Sequence, residues 1–345
     1  MAAGQYKART ALHEMAADGA FKRTDATFRE WIKPGGRFPP EANRYHLYIA
    51  YGCPWASRCL AVRNMKGLED VIGLSVTHPT WQRTRPDDPE DTHTGWTFAS
   101  PADPPFSSPA GQGSFPTDDC IPDTVNNVKY VRDLYELAGD TAGKYTVPVL
   151  WDKKEKTIVN NESAEILRIF NSAFNDFAKN PGLDLYPEEL RKQIDEVNDW
   201  VYPTINNGVY RCGFATKQAA YDEAFKQLFA SLDRAEDILS KHRYLVGDRL
   251  TEADIRLFKT LIRFDEVYVV YFKTNKKFIH EYPNLKNFVR EIYQHPGVKE
   301  SVNIAHIKMH YFTAHPDLNK YAIIPKGGDA WWEEPHDRDH FNAKA

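Results

Sequence analysis

The sequence predicts a two-domain protein in which an α/β domain is followed by an all-helical domain. Segments of strand type alternate with helical patterns in the first half of the chain, and no further strand of note follows 175. The chain has 345 residues, a length that suggests about two domains, and 42% of them are hydrophobic, which is enough for two cores.

These patterns divide the chain into four parts. Residues 1–40 are polar and irregular, and we interpret them as an arm packed on the surface of the first domain. The α/β domain covers 41–175 and includes a long insert at 80–123. The helical domain covers 176–320 and is followed by a tail at 321–345.

Composition narrows the class of partner and the compartment. The net charge is -4 and the pI is near 6.3, so neither nucleic acid nor an anionic membrane is expected as a partner. No apolar run approaches the ~20 residues that a membrane span needs, and the first residues carry no signal-peptide core. We therefore expect a soluble cytoplasmic protein, with an organelle address left open.

The first elements of the α/β domain are arranged around Cys53. The segment 45–50 predicts a strand, Gly52 supplies a sharp turn, and Pro54 suits the first position of a helix. Cys53 is thus placed at the helix N-terminus, a position that favours a thiolate. The helix dipole and the positive charge of Arg58 are both expected to add to this effect. The alternative is a small buried cysteine beside a turn. The flanking glycine and proline favour an accessible, reactive thiol.

A second strand at 71–77 follows the helix, which indicates a parallel βαβ unit. The insert after it is rich in proline, glycine, serine and aspartate and is far longer than an ordinary connection. Its tryptophans, including Trp96, favour a functional loop, because a disordered linker has little use for them.

The next elements predict a helix from about 124 and then a hairpin formed by 145–151 and 157–159. Pro148 stands just inside the first hairpin strand, where a proline is often a cis residue at a bend. A helix is predicted to follow from Asn161 or Glu162.

This helix start includes Ser163 and offers free N–H groups, which suit a carboxylate. The alternative is that Asn161 and Ser163 merely cap the helix. The resulting order β, α, β, insert, α, β, β, α is that of a thioredoxin-like fold. Such a fold brings Cys53 close to Val147 and Pro148.

In the second half, a linker at 171–187 is followed by four segments with helical periodicity. Thr251 to Asp254 form a capping-box-like helix start. The predicted helical segments are 188–205, 217–242, 252–272 and 284–293.

At this point the sequence resembles a cytosolic glutathione transferase, and more narrowly the Xi class, the glutathionyl-hydroquinone reductases. The resemblance covers nearly the whole chain and consists of several long motifs in the same order. These are Asp18-Gly19, Phe28 to Ile32, Tyr51 to Ala56, Gly95 to Phe98, Thr146 to Asp152, Ile158 to Ser163, Val201 to Tyr210, and His310 to Phe312 with His315.

The resemblance implies a glutathione transferase fold and an enzyme that reduces glutathionyl-hydroquinones with glutathione as co-substrate. The partners are then glutathione and quinone-derived small molecules, with no nucleic acid and no membrane, and the family forms a homodimer. The thiol acts alone, because Ala56 stands where a thioredoxin would carry its second cysteine. No metal is expected, since the four cysteines lack metal spacing.

The resemblance also implies roles for individual residues. Cys53 is the nucleophile, and Tyr202 and Tyr311 are candidate catalytic phenols. For the hydroquinone the candidates are Tyr202, Tyr210, His310 and Tyr311, and for glutathione they are Trp96, Arg132, Val147, Glu162 and Ser163.

Two positions depart from the family pattern. Ser57 stands where the family usually has histidine, so any help that an imidazole gives to thiolate formation is missing there, and Phe312 replaces a frequent tyrosine. Two other functions stay open: an Omega-like thioltransferase or dehydroascorbate reductase, and a non-catalytic ligand-binding protein with the transferase fold.

Overall fold

The computed structural model describes residues 8–344, which form two compact units. In the described chain the first unit contains 8–14, 24–179 and 302–325. The second unit contains the remaining stretches, 15–23, 180–301 and 326–344. Residues 1–7 and 345 of the predicted arm and tail lie outside the described residues.

The centre of the first unit is a mixed sheet with the strand order β3-β2-β1-β4-β5. Strand β1 (Tyr45–Ile49) pairs in parallel with β2 (Gly73–Arg83), as expected of a βαβ unit. On its other side β1 is antiparallel to β4 (Val149–Asp152), which continues into the hairpin strand β5 (Thr157–Asn160). Strand β3 (Thr94–Phe98) lies antiparallel along β2.

Three helices of the first unit follow its strands: α1 (Pro54–Met65), α2 (Val131–Leu137) and α3 (Ser163–Ser172). Helices α1 and α3 pack against each other. The start of α3 lies beside the middle of α1, where the Cys59 thiol donates to the Ser163 carbonyl at 3.5 Å.

The second unit is helical. A π-helical turn at Tyr202–Asn206 joins α4 (Arg191–Val201) to α5 (Gly208–Gly213), and another at Phe264–Tyr268 joins α7 (Glu252–Arg263) to α8 (Val269–Tyr271). The predicted capping box begins α7, where the Thr251 N–H donates to the Asp254 carboxylate at 2.8 Å. The unit also contains the helices α6 (Gln218–Lys241) and α9 (Pro283–Gln294).

The last long helix, α10 (Ile304–Thr313), returns to the first unit and packs on β2. Thr80 and Thr313 share a hydrogen bond of 2.7 Å between their hydroxyls. The sequence-based boundaries placed residues 302–320 in the helical domain, whereas the structure groups them with the sheet.

Strand and helix bounds in the insert also differ from expectation. Strand β2 extends to Arg83, and the insert holds a strand of its own, β3, where we expected a loop. Helix α2 begins at Val131 rather than near 124, because the Asp123 carboxylate accepts the N–H groups of Val125, Asn126 and Val128. Backbone groups held in this way are not available to a helix.

Part of the predicted arm covers the edge of the sheet. The Glu30 N–H donates to the Val159 carbonyl at 3.0 Å, and the Asn161 N–H donates to the Phe28 carbonyl at 3.0 Å. This pairing satisfies the outer side of β5, which would otherwise be an open edge. Over residues 8–344 no helix is both long and apolar enough to cross a membrane.

Candidate functional site

Cys53 caps the N-terminus of α1, with Pro54 as the first helical residue, as the sequence predicts. Its N–H donates to the Ala50 carbonyl at 3.1 Å, and its carbonyl accepts from the Ser57 N–H at 2.9 Å. The thiol donates to the Val147 carbonyl at 3.4 Å. The side chain is 9% exposed, so the thiol is more enclosed than the accessible cysteine that we expected.

The contact between Cys53 and Val147 follows from the sheet. Strands β1 and β4 are antiparallel neighbours with Tyr48 opposite Val149, so the end of β1 meets the start of β4. The Val147–Pro148 bond is cis, as the position of this proline predicts. The backbone of Val147 therefore lies directly beside the thiol.

Glu162 and Ser163 form the start of α3. Glu162 is the N-cap residue, and its Oε1 accepts from the Ala164 N–H at 2.9 Å. Its side chain is 31% exposed, whereas Ser163 is buried. The alternative that Asn161 and Ser163 merely cap the helix is thus wrong, because Glu162 is the capping residue, and its partly exposed carboxylate lies at the helix start.

Arg58 connects α1 with this helix start. Its Nη2 donates to Ser163 Oγ at 2.6 Å and lies 3.7 Å from Glu162 Oε1. The guanidinium also lies over the ring of Trp55, 5.2 Å from its centroid. We expected Arg58 to support the thiolate, and sequence reasoning missed this link, since nothing in the local pattern shows that α1 packs on α3.

Trp96 belongs to an aromatic and imidazole cluster in the first unit. Its ring stacks on His310 with 4.4 Å between centroids and meets Trp81 edge to face at 5.6 Å. His315 lies 4.8 Å from Trp81, and burial lowers the pKa of His315 to about 4. Sequence reasoning named Trp96 and His310 but gave Trp81 and His315 no role.

His310 is placed next to Cys53 by the neighbouring glycine. A Cβ built on Gly52 would come within 2.5 Å of His310 Cβ, so only glycine fits this turn. His310 Nδ1 donates to the Pro79 carbonyl at 3.0 Å, which orients the ring. Tyr311 follows on α10 with 1% of its surface exposed and its ring 5.1 Å from that of His310.

Arg132 is engaged by acidic side chains. Its Nη1 lies 2.5 Å from Asp91 Oδ2 and its Nε 2.6 Å from Glu136 Oε1. Its guanidinium also lies 5.4 Å from the centroid of the Tyr145 ring. These contacts occupy the guanidinium that we expected to receive a glutathione carboxylate.

Tyr202 and Tyr210 belong to the second unit. Tyr202 opens the π-helical turn after α4 and is partly exposed. Tyr210 lies in α5 and is buried, with the Arg23 guanidinium 5.2 Å from its ring centroid. Arg23 also donates to the side chain of Asn207 at 3.2 Å.

The other three cysteines differ from Cys53 in their surroundings. Burial raises the pKa of Cys120 and of Cys212 to about 12, and it raises the pKa of Cys59 as well. These thiols are therefore protonated near neutral pH. Within residues 8–344 no group of three or more His, Cys, Asp or Glu side chains is arranged to hold a metal ion.

Comparison with known proteins identifies the family of the chain. Family models described as the glutathione S-transferase N-terminal domain and C-terminal domain match residues 52–173 and 218–291. The glutathionyl-hydroquinone reductase YqjG of Escherichia coli is 47% identical over 330 residues, with 93% of each chain covered.

Two solved structures are similar throughout. The glutathione S-transferase Xi of Phanerochaete chrysosporium has a TM-score of 0.82 and 48% identity, covering 94% of this chain and 97% of its own. The glutathione-bound structure of YqjG from Escherichia coli has a TM-score of 0.79 and 46% identity, covering 91% of this chain and 96% of its own.

The chain therefore belongs to the glutathione S-transferase family, and within that family to the Xi class. This confirms the family and the fold class expected from the sequence: a thioredoxin-like α/β domain with an all-helical C-terminal domain.

Proposed function

We propose that this protein is a glutathionyl-hydroquinone reductase that uses glutathione as co-substrate and Cys53 as a single catalytic thiol. The observation that carries the proposal is a cysteine at a helix N-terminus, 3.4 Å from the Val147 carbonyl, in a chain 47% identical to a glutathionyl-hydroquinone reductase. The substrate is then an aromatic hydroquinone that carries glutathione through a thioether.

The reaction proceeds in two steps of sulfur chemistry. The Cys53 thiolate attacks the glutathione sulfur of the thioether and forms a Cys53–glutathione disulfide. The carbon–sulfur bond breaks, its electron pair passes to the ring carbon, and that carbon takes up a proton to give free hydroquinone. A second glutathione thiolate then attacks the disulfide, which releases oxidised glutathione and restores the Cys53 thiolate.

The glutathione site that supports this cycle lies around Cys53. The Val147 backbone is proposed to bind the cysteinyl part of glutathione, and its carbonyl, 3.4 Å from the Cys53 sulfur, supports this role. Glu162 suits the ammonium of the γ-glutamyl group and Ser163 its carboxylate. We assign Trp96 the role of covering the peptide from the insert. Arg132 is the weaker candidate for a carboxylate because Asp91 and Glu136 already pair with it.

Proton delivery to the leaving ring is assigned to tyrosines. A phenol can protonate the ring carbon or stabilise the hydroquinone oxygens. Tyr202 and Tyr311 are the proposed catalytic phenols, and Tyr210 and His310 are proposed to contact the ring. His310 stacks on Trp96, the residue proposed to cover glutathione. This stacking supports a place for His310 at the same site.

The function is tested by incubating the full chain with glutathione and a glutathionyl-hydroquinone and measuring free hydroquinone by chromatography. Release above the uncatalysed rate is expected. Glutathione-dependent reduction of a small disulfide without hydroquinone release would favour the Omega-like thioltransferase. Glutathione binding with neither activity would favour a non-catalytic binding protein.

We further propose that the enzyme is a cytoplasmic homodimer. The four cysteines lack the spacing of a disulfide framework, which fits a reducing compartment. The dimer is implied by the family resemblance. Light scattering after size-exclusion chromatography tests it: a mass of 39.6 kDa, that of one chain, would contradict the dimer.

A further inference from the structure

We infer that Arg58 is a positioning residue of the glutathione site, which orients the hydroxyl of Ser163 so that it donates to the α-carboxylate of the γ-glutamyl group. This inference rests on the proposed function and adds a residue to it. Arg58 does not contact the peptide in this account, and it acts through Ser163.

The first support is the direction of the hydrogen bond. A guanidinium can only donate, so Ser163 Oγ is the acceptor of the 2.6 Å bond from Arg58 Nη2. The serine proton is then left for another acceptor. Glu162 Oε1 is 3.5 Å away, at the limit of hydrogen-bond distance, and it already accepts from the Ala164 N–H at 2.9 Å. A ligand carboxylate is the acceptor that this hydroxyl fits best.

The second support is the burial of the pair. Arg58 is 2% exposed and Ser163 is also buried, so neither side chain is free to turn into solvent. Within the described part of the chain, Arg58 Nε is buried and has no hydrogen-bond acceptor. A buried donor without an acceptor lowers the stability of the fold. If Arg58 served only to join α1 and α3, an apolar side chain would do so with little loss of stability.

The third support is the charge arrangement at the start of α3. Glu162 Oε1 lies 3.7 Å from Arg58, which partly neutralises it, while the Glu162 side chain remains 31% exposed. A γ-glutamyl group carries an ammonium and a carboxylate on one carbon. The exposed carboxylate of Glu162 and the hydroxyl of Ser163 are adjacent groups that suit these two charges, and Arg58 fixes the spacing between them.

The test measures binding of reduced glutathione by calorimetry to the full chain and to Arg58→Met, Ser163→Ala and the double variant. Loss of one hydrogen bond to a charged group costs about tenfold in affinity. We expect each single variant to lower the affinity for glutathione about tenfold. The double variant should lower it at most about twofold more than either single variant does. Additive losses in the double variant would overturn the inference.

A peptide that lacks the carboxylate separates positioning from a general structural role. In 4-aminobutyryl-cysteinyl-glycine the γ-glutamyl α-carboxylate is absent. Arg58→Met is expected to change the affinity for this peptide less than about twofold, because the group that Ser163 would bind is gone. Equal losses for both peptides would overturn the inference, as would no loss for glutathione.

Two further variants keep the test decisive. Arg58→Lys retains a donor and a charge, and it serves where Arg58→Met fails to fold. Its affinity for glutathione is expected to lie between those of the wild type and Ser163→Ala.

Arg44→Met is the matched control, since it removes another buried arginine of the same unit, paired with Asp152 at 2.5 Å. It is expected to leave glutathione affinity unchanged. Hydroquinone release by the wild type reports on the proposed function independently.

Discussion

The positions of some side chains at the site can be predicted from the local sequence, and those of others cannot. The position of Cys53 at the helix start could be predicted from Gly52 and Pro54, because both restrict the backbone in known ways. Its proximity to Val147 could also be predicted, from the thioredoxin-like order of the elements. The small exposed fraction of Cys53 could not, since it depends on tertiary packing. The link from Arg58 to Ser163 was missed for the same reason: it joins residues 105 positions apart.

The close approach of Gly52 to His310 leads to a testable prediction. In Gly52→Ala the new Cβ would collide with His310 Cβ, so the turn before Cys53 must shift. We expect hydroquinone release to fall on the order of a hundredfold, as a displacement of about 1 Å at a reacting group does. Gly182→Ala is the control, because a Cβ there meets nothing within 4 Å. Equal activity of the two variants would contradict the assignment.

His46 gives a prediction for the dependence of stability on pH. Burial lowers the pKa of His46 to about 4 from an ordinary value of 6.5, so the folded state favours the neutral ring. The stability that the neutral His46 ring contributes is fully present above pH 6.5 and is lost progressively as the pH falls from 6.5 to 4. Between pH 7 and pH 5 the wild type should lose about 2 kcal/mol more unfolding free energy than His46→Gln. Urea unfolding at both pH values measures this, and identical losses would refute it.

At the scale of elements, the strands and helices with clear patterns could be predicted and those without could not. Strand β3 was missed because it lies in a segment rich in proline and glycine. Helix α10 was missed because most of its second half is buried, which removes the alternation of apolar and polar faces by which a helix is recognised. The start of α2 was misplaced because Asp123 holds the preceding backbone.

The side chain of Asn161 links the arm to α2, and this link leads to a testable prediction. Its Oδ1 accepts from the Phe28 N–H at 3.1 Å, and its Nδ2 donates to the Tyr135 hydroxyl at 2.9 Å. Asn161→Ala removes the acceptor of the half-buried Phe28 N–H and one partner of the Tyr135 hydroxyl, which keeps its bonds to Thr146, so we expect a loss of about 1–2 kcal/mol in unfolding free energy. Urea unfolding tests this against Asn275→Ala, an exposed position, and an equally small effect of both would contradict it.

For the whole molecule, the α/β domain followed by helices could be predicted from the sequence, and the family comparison confirms it. The return of residues 302–325 to the first unit could not be predicted, because packing of α10 on β2 depends on tertiary contacts. One consequence is that Tyr311 and His310 belong to the same unit as Cys53, although about 250 residues of chain separate them.

The thiols as a set give a prediction for the folded chain. Burial raises the pKa of Cys59, Cys120 and Cys212, whereas Cys53 stands at a helix N-terminus. With Ellman's reagent at neutral pH, one of the four thiols should react rapidly and the other three only on unfolding. The rapid phase should be absent in Cys53→Ser. Its survival in that variant would show that another cysteine is the reactive one.

The central claim is that Cys53 alone carries the reduction, and release of hydroquinone from a glutathionyl-hydroquinone by thiol variants tests it most directly. Cys59→Ala should retain the wild-type rate, because burial keeps that thiol protonated. Cys53→Ser should release no hydroquinone above the uncatalysed rate, while the wild type accumulates a glutathione disulfide on Cys53 when free glutathione is limiting. Residual reduction by Cys53→Ser, or its loss in Cys59→Ala, would contradict the single-thiol mechanism.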